Sequence, residues 1–285
     1  MLPTLIKVGE LELHSYVVCL ALGLFVSVTL ALRENQRLPN PYPVDGKVGI
    51  WALIFGLLGG RIYQVLQYEG IHKIHEAIVY FWAGGYVFFG AFLGGLLGVW
   101  LYLRRRKVPF LPASDIAVPY IALGHAIGRV GCFLNGCCWG DLCNFPWAIV
   151  YPKDSDVFDK QIIRHLIPAS ADQPLPVHPT PLYEVLGLLI IFILLRMIYK
   201  NKNYDGQVLL WYFCMYGAWR FLDENFRGES YHTHLGMTAS QMIALVVCLL
   251  ASVLLFIMFL MLKKKQLSKK CNHILNQKIS ELKQI

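Results

Sequence analysis

The sequence GRVGCFLNGCCWG occupies residues 128–140, directly after the apolar run of residues 116–127. An arginine inside such a run is costly in a membrane, so Arg129 should face a protein interior or a wet cavity, which makes it a candidate site residue. The stretch also contains four glycines and Asn135. Glycine permits close backbone approach, and irregular backbone at membrane depth is tolerated only beside a cavity or inside protein. The stretch therefore predicts a pocket near a membrane surface.

The composition around this stretch is that of an integral membrane protein. The 285 residues are 56% hydrophobic and 15% charged, whereas soluble domains carry about 25% charged residues. The formal net charge is +8. Nucleic-acid binding would gather this charge on one face, but it is spread in short runs at the ends of apolar segments, which favours cytoplasmic anchors. The first apolar run lacks signal-peptide features, so we expect it to remain as a membrane helix.

Hydropathy divides the chain into seven apolar segments, each about the ~20 residues that cross a bilayer. The predicted spans are residues 14–32, 47–66, 80–102, 115–134, 179–198, 206–223 and 237–262. Residues 1–13 form a short amphipathic lead, and residues 135–177 are too polar to span and predict a small loop-rich head. We therefore expect an all-α polytopic membrane protein, with residues 1–262 as the membrane domain and residues 263–285 as a basic tail able to form a surface helix.

The distribution of basic residues predicts the orientation of these spans. The loops after spans one, three and five, and the tail after span seven, hold most of the short-loop lysine and arginine and should be cytoplasmic. The N-terminus and the head then face outward, with the C-terminus inside. This orientation places residues 128–140 near the outer leaflet.

A second polar group lies near the end of the sixth span. Tyr216, Arg220, Glu224 and Arg227 are spaced four, four and three residues apart, which places them on one face of a helix. Arg220 and Glu224 can pair there. The pattern is consistent with a purely stabilising ion pair, but a second membrane arginine, Arg129, favours an anion site.

Three further places hold polar residues near span ends. His178 and Glu184 open the fifth span, where they either cap the helix or belong to the site. Arg61 follows two glycines near the end of the second span. Tyr16 lies at the start of the first span, where a tyrosine is more often an interfacial belt residue.

His125 lies four residues before Arg129, on the same face of the helix. A lone histidine there is more often a core residue, although beside an arginine it could act as a base. Two or three arginines meeting in a cavity suit a phosphate, because guanidinium binds phosphate through paired donors and keeps its charge. In a membrane, that phosphate suggests a phospholipid headgroup.

Four cysteines lie close together in the chain. Cys132, Cys137, Cys138 and Cys143 follow a C-x4-C-C-x4-C pattern, which does not match a zinc knuckle. We expect small buried or free thiols ahead of a disulfide, and a disulfide ahead of a metal site.

Residues 128–140 resemble the signature of the bacterial prolipoprotein diacylglyceryl transferases. The resemblance extends, in order and spacing, over residues 13–262. It includes the segments 59–61, 84–85, 178–184 and 216–227.

The resemblance implies a reaction and a fold. The family transfers the sn-1,2-diacylglyceryl group of phosphatidylglycerol to the lipobox cysteine of a preprolipoprotein, forming a thioether and releasing glycerol 1-phosphate. It uses seven membrane helices, an outward-facing head and no metal or organic cofactor. We expect a multi-pass protein of the bacterial inner membrane, a monomer, with phosphatidylglycerol and the preprolipoprotein signal peptide as partners and no nucleic acid.

The resemblance also implies roles for individual residues. Arg129 and Arg220 would hold the phosphate, and Glu224 would orient Arg220. The expected catalytic residues are Arg129, Arg220, Tyr216, Glu224, Tyr16 and His125. The expected substrate-binding residues are Arg129, Asn135, Gly136, Gly140, Arg61, Glu184 and Arg227.

This chain departs from the family at three positions. Phe89 stands where well-known members have a histidine, and Cys132 and Cys137 replace an asparagine and a glutamate of the signature. Phenylalanine cannot accept a proton. Either that histidine is not the obligate base, or His125, His14 or Glu184 serves instead, or the chain is an altered paralogue that binds phospholipid headgroups. A transporter is disfavoured, because the chain has no internal repeat or paired broken helices.

Overall fold

The computed structural model describes residues 4–8, 11–68, 70, 87–153, 155–228 and 236–282. Within them lie eight α-helices and one two-stranded antiparallel sheet, in which Thr4 pairs with His14. The strands are β1 (Thr4–Val8) and β2 (Leu11–His14). The helices are α1 (Ser15–Gln36), α2 (Lys47–Tyr68), α3 (Phe88–Arg105), α4 (Phe110–Asn135), α5 (Asp156–Ile163), α6 (Thr180–Lys200), α7 (Gln207–Asp223) and α8 (Ala239–Leu282).

The predicted all-α membrane fold is confirmed. Helices α1, α2, α4 and α6, together with the first part of α8, are long and apolar enough to cross a membrane. The other two predicted spans correspond to the shorter helices α3 and α7, of 18 and 17 residues. The start of the third predicted span, residues 80–86, lies outside the described residues.

Both the lead and the basic tail contain regular secondary structure. In the lead, β1 and β2 pair antiparallel, and β2 ends where α1 begins. Helix α8 does not stop near residue 262 but continues through the basic tail to Leu282. Its 44 residues contain no glycine or proline, so nothing in the sequence breaks the helix. At 1.5 Å per residue it is about 66 Å long, roughly twice the bilayer core.

Glycines let the membrane helices pack closely in pairs. A Cβ built on Gly23 of α1 would lie 2.5 Å from the Gly124 carbonyl oxygen of α4. A Cβ on Gly59 of α2 would lie 2.4 Å from the Gly90 carbonyl oxygen of α3. Small residues allow such contact where no hydrophobic force drives helices together in lipid. The outward faces are apolar, as at Phe25, which is 67% exposed.

One end of the bundle is held by carboxylates paired with basic residues. Asp115 near the start of α4 is fully buried, and it accepts hydrogen bonds from Lys202 Nζ at 3.0 Å and from the Gly206 amide at 2.8 Å, just before α7. Glu34 pairs with Arg196 at 3.0 Å. Residues 128–140 lie at the other end of α4, which separates the glycine-rich stretch from the basic end.

The head of residues 135–177 is mostly loop, as predicted, around the short helix α5. Trp139, Tyr151, Val157 and Val177 form its small core. Short β-bridges join Leu142 and Ile149 to Val177 and join Gly140 to Arg227. The head is therefore connected to the segment that follows α7.

Candidate functional site

A buried carboxylate links two membrane arginines from different helices. Glu184, in the first turns of α6, has a side chain 2% exposed. Its Oε2 lies 2.7 Å from Arg129 Nε of α4, and its Oε1 lies 3.4 Å from Arg220 Nη1 of α7. A buried charge is tolerated when it is paired, so Glu184 holds both guanidinium groups in one place.

The predicted pair between Arg220 and Glu224 is confirmed. Arg220 Nη2 lies 2.5 Å from Glu224 Oε2, one turn further along the chain. Thr238 Oγ1 donates to Glu224 Oε1 at 3.2 Å, and Arg227 Nε lies 3.8 Å from Oε2. The carboxylate of Glu224 is therefore fixed from both sides.

Tyr216 joins this network from the same helix as Arg220. Its hydroxyl donates to Glu184 Oε1 at 3.3 Å. Its ring meets the His125 ring edge-on, with centroids 5.2 Å apart, and stacks on Tyr212 at 5.7 Å. His125 thus lies beside the arginines, in contact with an aromatic wall.

The turn after α4 has the backbone geometry that the glycines predict. Asn135 is the last helical residue, and Gly136 ends the helix in the left-handed region with φ 77°. The Gly136 amide donates to the carbonyl oxygens of Cys132 and Phe133. Glycine is the common residue at this position because a side chain there is strained.

Gly140 brings the head against the segment after α7. Its amide donates to the His178 carbonyl oxygen at 2.9 Å. An added Cβ would lie 2.5 Å from both the Phe226 carbonyl oxygen and the His178 Cβ, so no other residue fits without movement. This close approach sets the position of Arg227, the bridge partner of Gly140.

Tyr16 reaches the site because α1 packs closely on α4. A Cβ on Gly131 would lie 2.7 Å from Cys19 Cβ and 3.2 Å from Tyr16 Cα. Tyr16 consequently lies close enough to Arg129 for the positive charge of the arginine to act on the tyrosine hydroxyl.

The candidates Arg61 and His14, and the departure at Phe89, lie on other parts of the chain. Arg61 is buried on α2, and its described side-chain contact is with Gln64 of the same helix. Helix α2 packs mainly against α3. Phe89 lies on α3 and is 49% exposed, and His14 is exposed before α1.

The cysteines of residues 128–140 are free thiols, and none of the described cysteines forms a disulfide. The sulfurs of Cys132, Cys137 and Cys138 lie within 4.8 Å of one another. The Cys137 thiol donates a hydrogen bond to the Cys132 carbonyl oxygen, with sulfur and oxygen 3.6 Å apart. The C-x4-C-C-x4-C spacing, which favoured buried or free thiols over a metal site, does not predict this convergence.

The sequence placed Glu184 among the expected substrate-binding residues and as an alternative base, but it did not identify Asp223. Asp223 is 3% exposed and lies 3.5 Å from Arg220, and within the described residues neither carboxylate oxygen has a hydrogen-bond partner. Its position one residue before Glu224 was the only feature of the sequence that pointed to Asp223.

Beside these residues a cavity of about 480 Å³ is lined by Asp141, Glu224, Arg227, Gly228 and Gln241, among others.

Comparisons with known proteins show which family this chain resembles. The family model described as prolipoprotein diacylglyceryl transferase matches residues 3–257. Three relatives carry the name phosphatidylglycerol–prolipoprotein diacylglyceryl transferase. The protein of Finegoldia magna is 32% identical over 250 residues, covering 87% of this chain and 88% of the relative. The protein of Corynebacterium diphtheriae is 31% identical, covering 87% of this chain and 89% of the relative. The protein of Dehalococcoides mccartyi is 30% identical, covering 94% of this chain and 96% of the relative.

Proposed function

This chain belongs to the prolipoprotein diacylglyceryl transferase family, and on that premise we propose its reaction. It transfers the sn-1,2-diacylglyceryl group of phosphatidylglycerol to the lipobox cysteine thiol of a preprolipoprotein. A thioether forms, and glycerol 1-phosphate leaves. The observation that supports this most directly is the pair of arginines, Arg129 and Arg220, gathered around one buried carboxylate.

The arginines hold the phosphate of the lipid. Each guanidinium has five N–H donors, and Glu184 engages only some of them, so donors remain for phosphate oxygens. As the carbon–oxygen bond of the glyceryl group breaks, negative charge grows on the departing phosphate. Fixed positive groups stabilise that charge in the transition state without reorganising. Glu184 and Glu224 keep the arginines in place before the substrate arrives.

The remaining site residues shape the pocket. Tyr16 and Tyr216 offer hydroxyls to headgroup oxygens. Asn135 and Gly136 form the turn beneath the site, and Gly140 positions Arg227 at its edge. His125 lines the wall next to Tyr216. Arg61 is assigned to substrate binding from α2, which packs mainly against α3.

The acceptor thiol must become a thiolate before it attacks, because the thiolate is the nucleophile. Glu184 is poorly suited as the base, since both of its oxygens already contact guanidinium groups. His125 contacts the ring of Tyr216, whose hydroxyl donates to Glu184, whereas His14 is exposed before α1.

The protein acts as a multi-pass monomer in the bacterial inner membrane, with its N-terminus and head outside and its C-terminus in the cytoplasm. The basic residues support this orientation, because they cluster at the end of the bundle away from residues 128–140. Phosphatidylglycerol enters from the outer leaflet, and the signal peptide of the preprolipoprotein presents its cysteine there.

A second candidate is an altered paralogue that binds phospholipid headgroups without turnover. Phe89 supports it, because its side chain cannot accept a proton and is half exposed on α3. The arginine cluster fits either function.

Complementation separates these two functions. The chain is expressed in a bacterium whose own transferase is conditionally silenced, and the mass of a reporter lipoprotein is measured. A gain of one diacylglyceryl group supports the transferase, and no gain with the protein present in the membrane supports the paralogue. We expect Arg129→Ala to abolish the gain and Arg37→Ala to keep it, because Arg37 is exposed at the other end of the bundle.

A further inference from the structure

Three cysteine side chains converge where α4 ends. The sulfurs of Cys132, Cys137 and Cys138 lie within 4.8 Å of one another. Cys132 is 7% exposed, and the other two are partly buried. Among the described residues, no other group of three histidine, cysteine or acidic side chains brings its ligand atoms this close.

The backbone, rather than the sequence spacing, produces this convergence. The amides of Gly136 and Cys137 both donate to the Cys132 carbonyl oxygen, which turns the chain back over the end of the helix. Cys138 then adopts a left-handed backbone, with φ 62°. Thr180 Oγ1 fixes it by donating to the Cys138 carbonyl oxygen at 2.6 Å. A non-glycine residue in this conformation is uncommon.

The separation of the sulfurs suits one small thiophilic ion. Zinc binds cysteine sulfur at about 2.3 Å, so sulfurs around a tetrahedral ion lie roughly 3.8 Å apart. The three sulfurs lie within 4.8 Å of one another, so they need to move only slightly closer together to bind such an ion. Thiolate ligands select zinc and similar soft ions over magnesium or calcium.

The surroundings favour a negatively charged cluster. Three thiolates around a divalent ion leave one net negative charge. Arg129 is within electrostatic range of Cys132 and Cys138, and Arg227 is within range of Cys138. Buried charge is stable when such partners offset it.

We propose that Cys132, Cys137 and Cys138 bind a thiophilic metal ion of the zinc class, and that the remaining coordination position takes the lipobox thiol of the acceptor. This inference rests on the proposed function. Three protein ligands and one open position are the usual pattern of a catalytic zinc site. It makes the site a thiol-activating centre adjoining the arginines that hold the phosphate.

The step balances without an oxidant or a reductant. The acceptor thiol loses its proton to solvent as its sulfur coordinates the ion, because a coordinating thiol is deprotonated. The sulfur then forms a bond to the glyceryl carbon while the carbon–oxygen bond breaks. The phosphate oxygen keeps that electron pair and leaves on glycerol 1-phosphate, and the oxidation state of the ion is unchanged.

The proposal also supplies a way to deprotonate the acceptor thiol. Both Glu184 oxygens already contact guanidinium groups, which makes Glu184 a poor base. A metal that deprotonates the thiol removes the need for a proton-accepting side chain at the arginine cluster.

The first test measures metal directly. The full chain is purified in detergent without chelators, and its zinc content is compared among the native protein, Cys137→Ser and the control Cys214→Ser. Cys214 lies on α7, away from the trio, beside Ser252. We expect one zinc per chain in the native protein and the control, and at least a tenfold lower zinc content in Cys137→Ser. No stoichiometric metal, or a disulfide within the trio on peptide mapping, would overturn the proposal.

The second test detects the open position without requiring turnover. The protein is loaded with Co²⁺, and its thiolate-to-metal charge-transfer absorption is recorded. A peptide carrying the lipobox cysteine should increase this absorption by about a third, as three thiolate ligands become four. The same peptide with serine in place of cysteine should leave it unchanged. No increase at saturating cysteine peptide contradicts thiol coordination.

Failure of this inference can be told apart from failure of the proposed function. Transfer by metal-free protein at the native rate would refute metal activation and leave the transferase intact. Stoichiometric metal and thiol coordination without any transfer would support the site and refute the transferase.

Discussion

Glu184 is the residue on which the site depends. Its two oxygens contact Arg129 and Arg220, and the Tyr216 hydroxyl donates to one of them. Without this carboxylate, two buried guanidinium groups would repel each other. Removing one partner of a buried ion pair costs about 3–5 kcal/mol, because it leaves a charge unpaired.

We therefore expect Glu184→Gln to lower diacylglyceryl transfer by about 10²- to 10³-fold, the range for a displaced charge-stabilising donor. Glutamine keeps the size of the side chain but removes its charge. Transfer to a lipobox peptide in proteoliposomes is the measurement. The control is Glu34→Gln, which breaks a similar pair with Arg196 at the basic end and should retain transfer. Equal losses in both variants would show a general loss of stability instead.

Arg220 needs its planar fork as well as its charge. It contacts Glu184 through one terminal nitrogen and Glu224 through the other. We expect Arg220→Lys to lose most of its transfer activity, because an ammonium group cannot make paired contacts. Arg196→Lys is the matched control at the other end of the bundle. Near-native turnover of Arg220→Lys would refute the paired-donor role.

At the scale of helices, the glycines of α1 and α4 bring residues of the two helices together. Gly23 packs against Gly124, and Gly131 packs against Cys19 and Tyr16. Tyr16 is near Arg129 only because the helices are this close. The role proposed for Tyr16 thus depends on residues with no chemistry of their own.

Gly131→Ala tests this dependence. The new methyl group would lie 2.7 Å from Cys19 Cβ, and overpacking of this kind costs about 1–3 kcal/mol. We expect a lower unfolding temperature in detergent and reduced transfer. Gly46→Ala is the control, since a Cβ there meets nothing within 4 Å. A Gly131→Ala protein with native stability and transfer would show that this helix contact is not needed.

The sequence predicted the helices well, because a membrane span must be about 20 apolar residues long. Polar spacing along one helix likewise predicted the Arg220–Glu224 pair. The sequence could not predict contacts between helices, such as the contact of Arg129 with Glu184, because these contacts depend on how α4 and α6 pack. Nor could residue spacing reveal that Gly136 turns Cys137 and Cys138 back over Cys132.

At the scale of the whole molecule, one end of the bundle carries the basic loops and the other carries the head and the arginine cluster. The loop of residues 37–46 lies at the basic end, where Asp45 pairs with Arg106 at 2.7 Å. The head lies at the opposite end with the arginine cluster. If basic loops are cytoplasmic, the site opens outward, where a signal peptide that has crossed the membrane can present its cysteine.

Labelling in intact spheroplasts tests this orientation. Ile163 ends helix α5 of the head and is 73% exposed, and Asn40 is exposed in the loop after α1. We expect a membrane-impermeant maleimide to label Ile163→Cys directly and Asn40→Cys only after permeabilisation. The parent chain, whose described cysteines are free, supplies the background. The reverse pattern would place the arginine cluster on the cytoplasmic side, where an acceptor would have to react before translocation, and would contradict the proposed order of events.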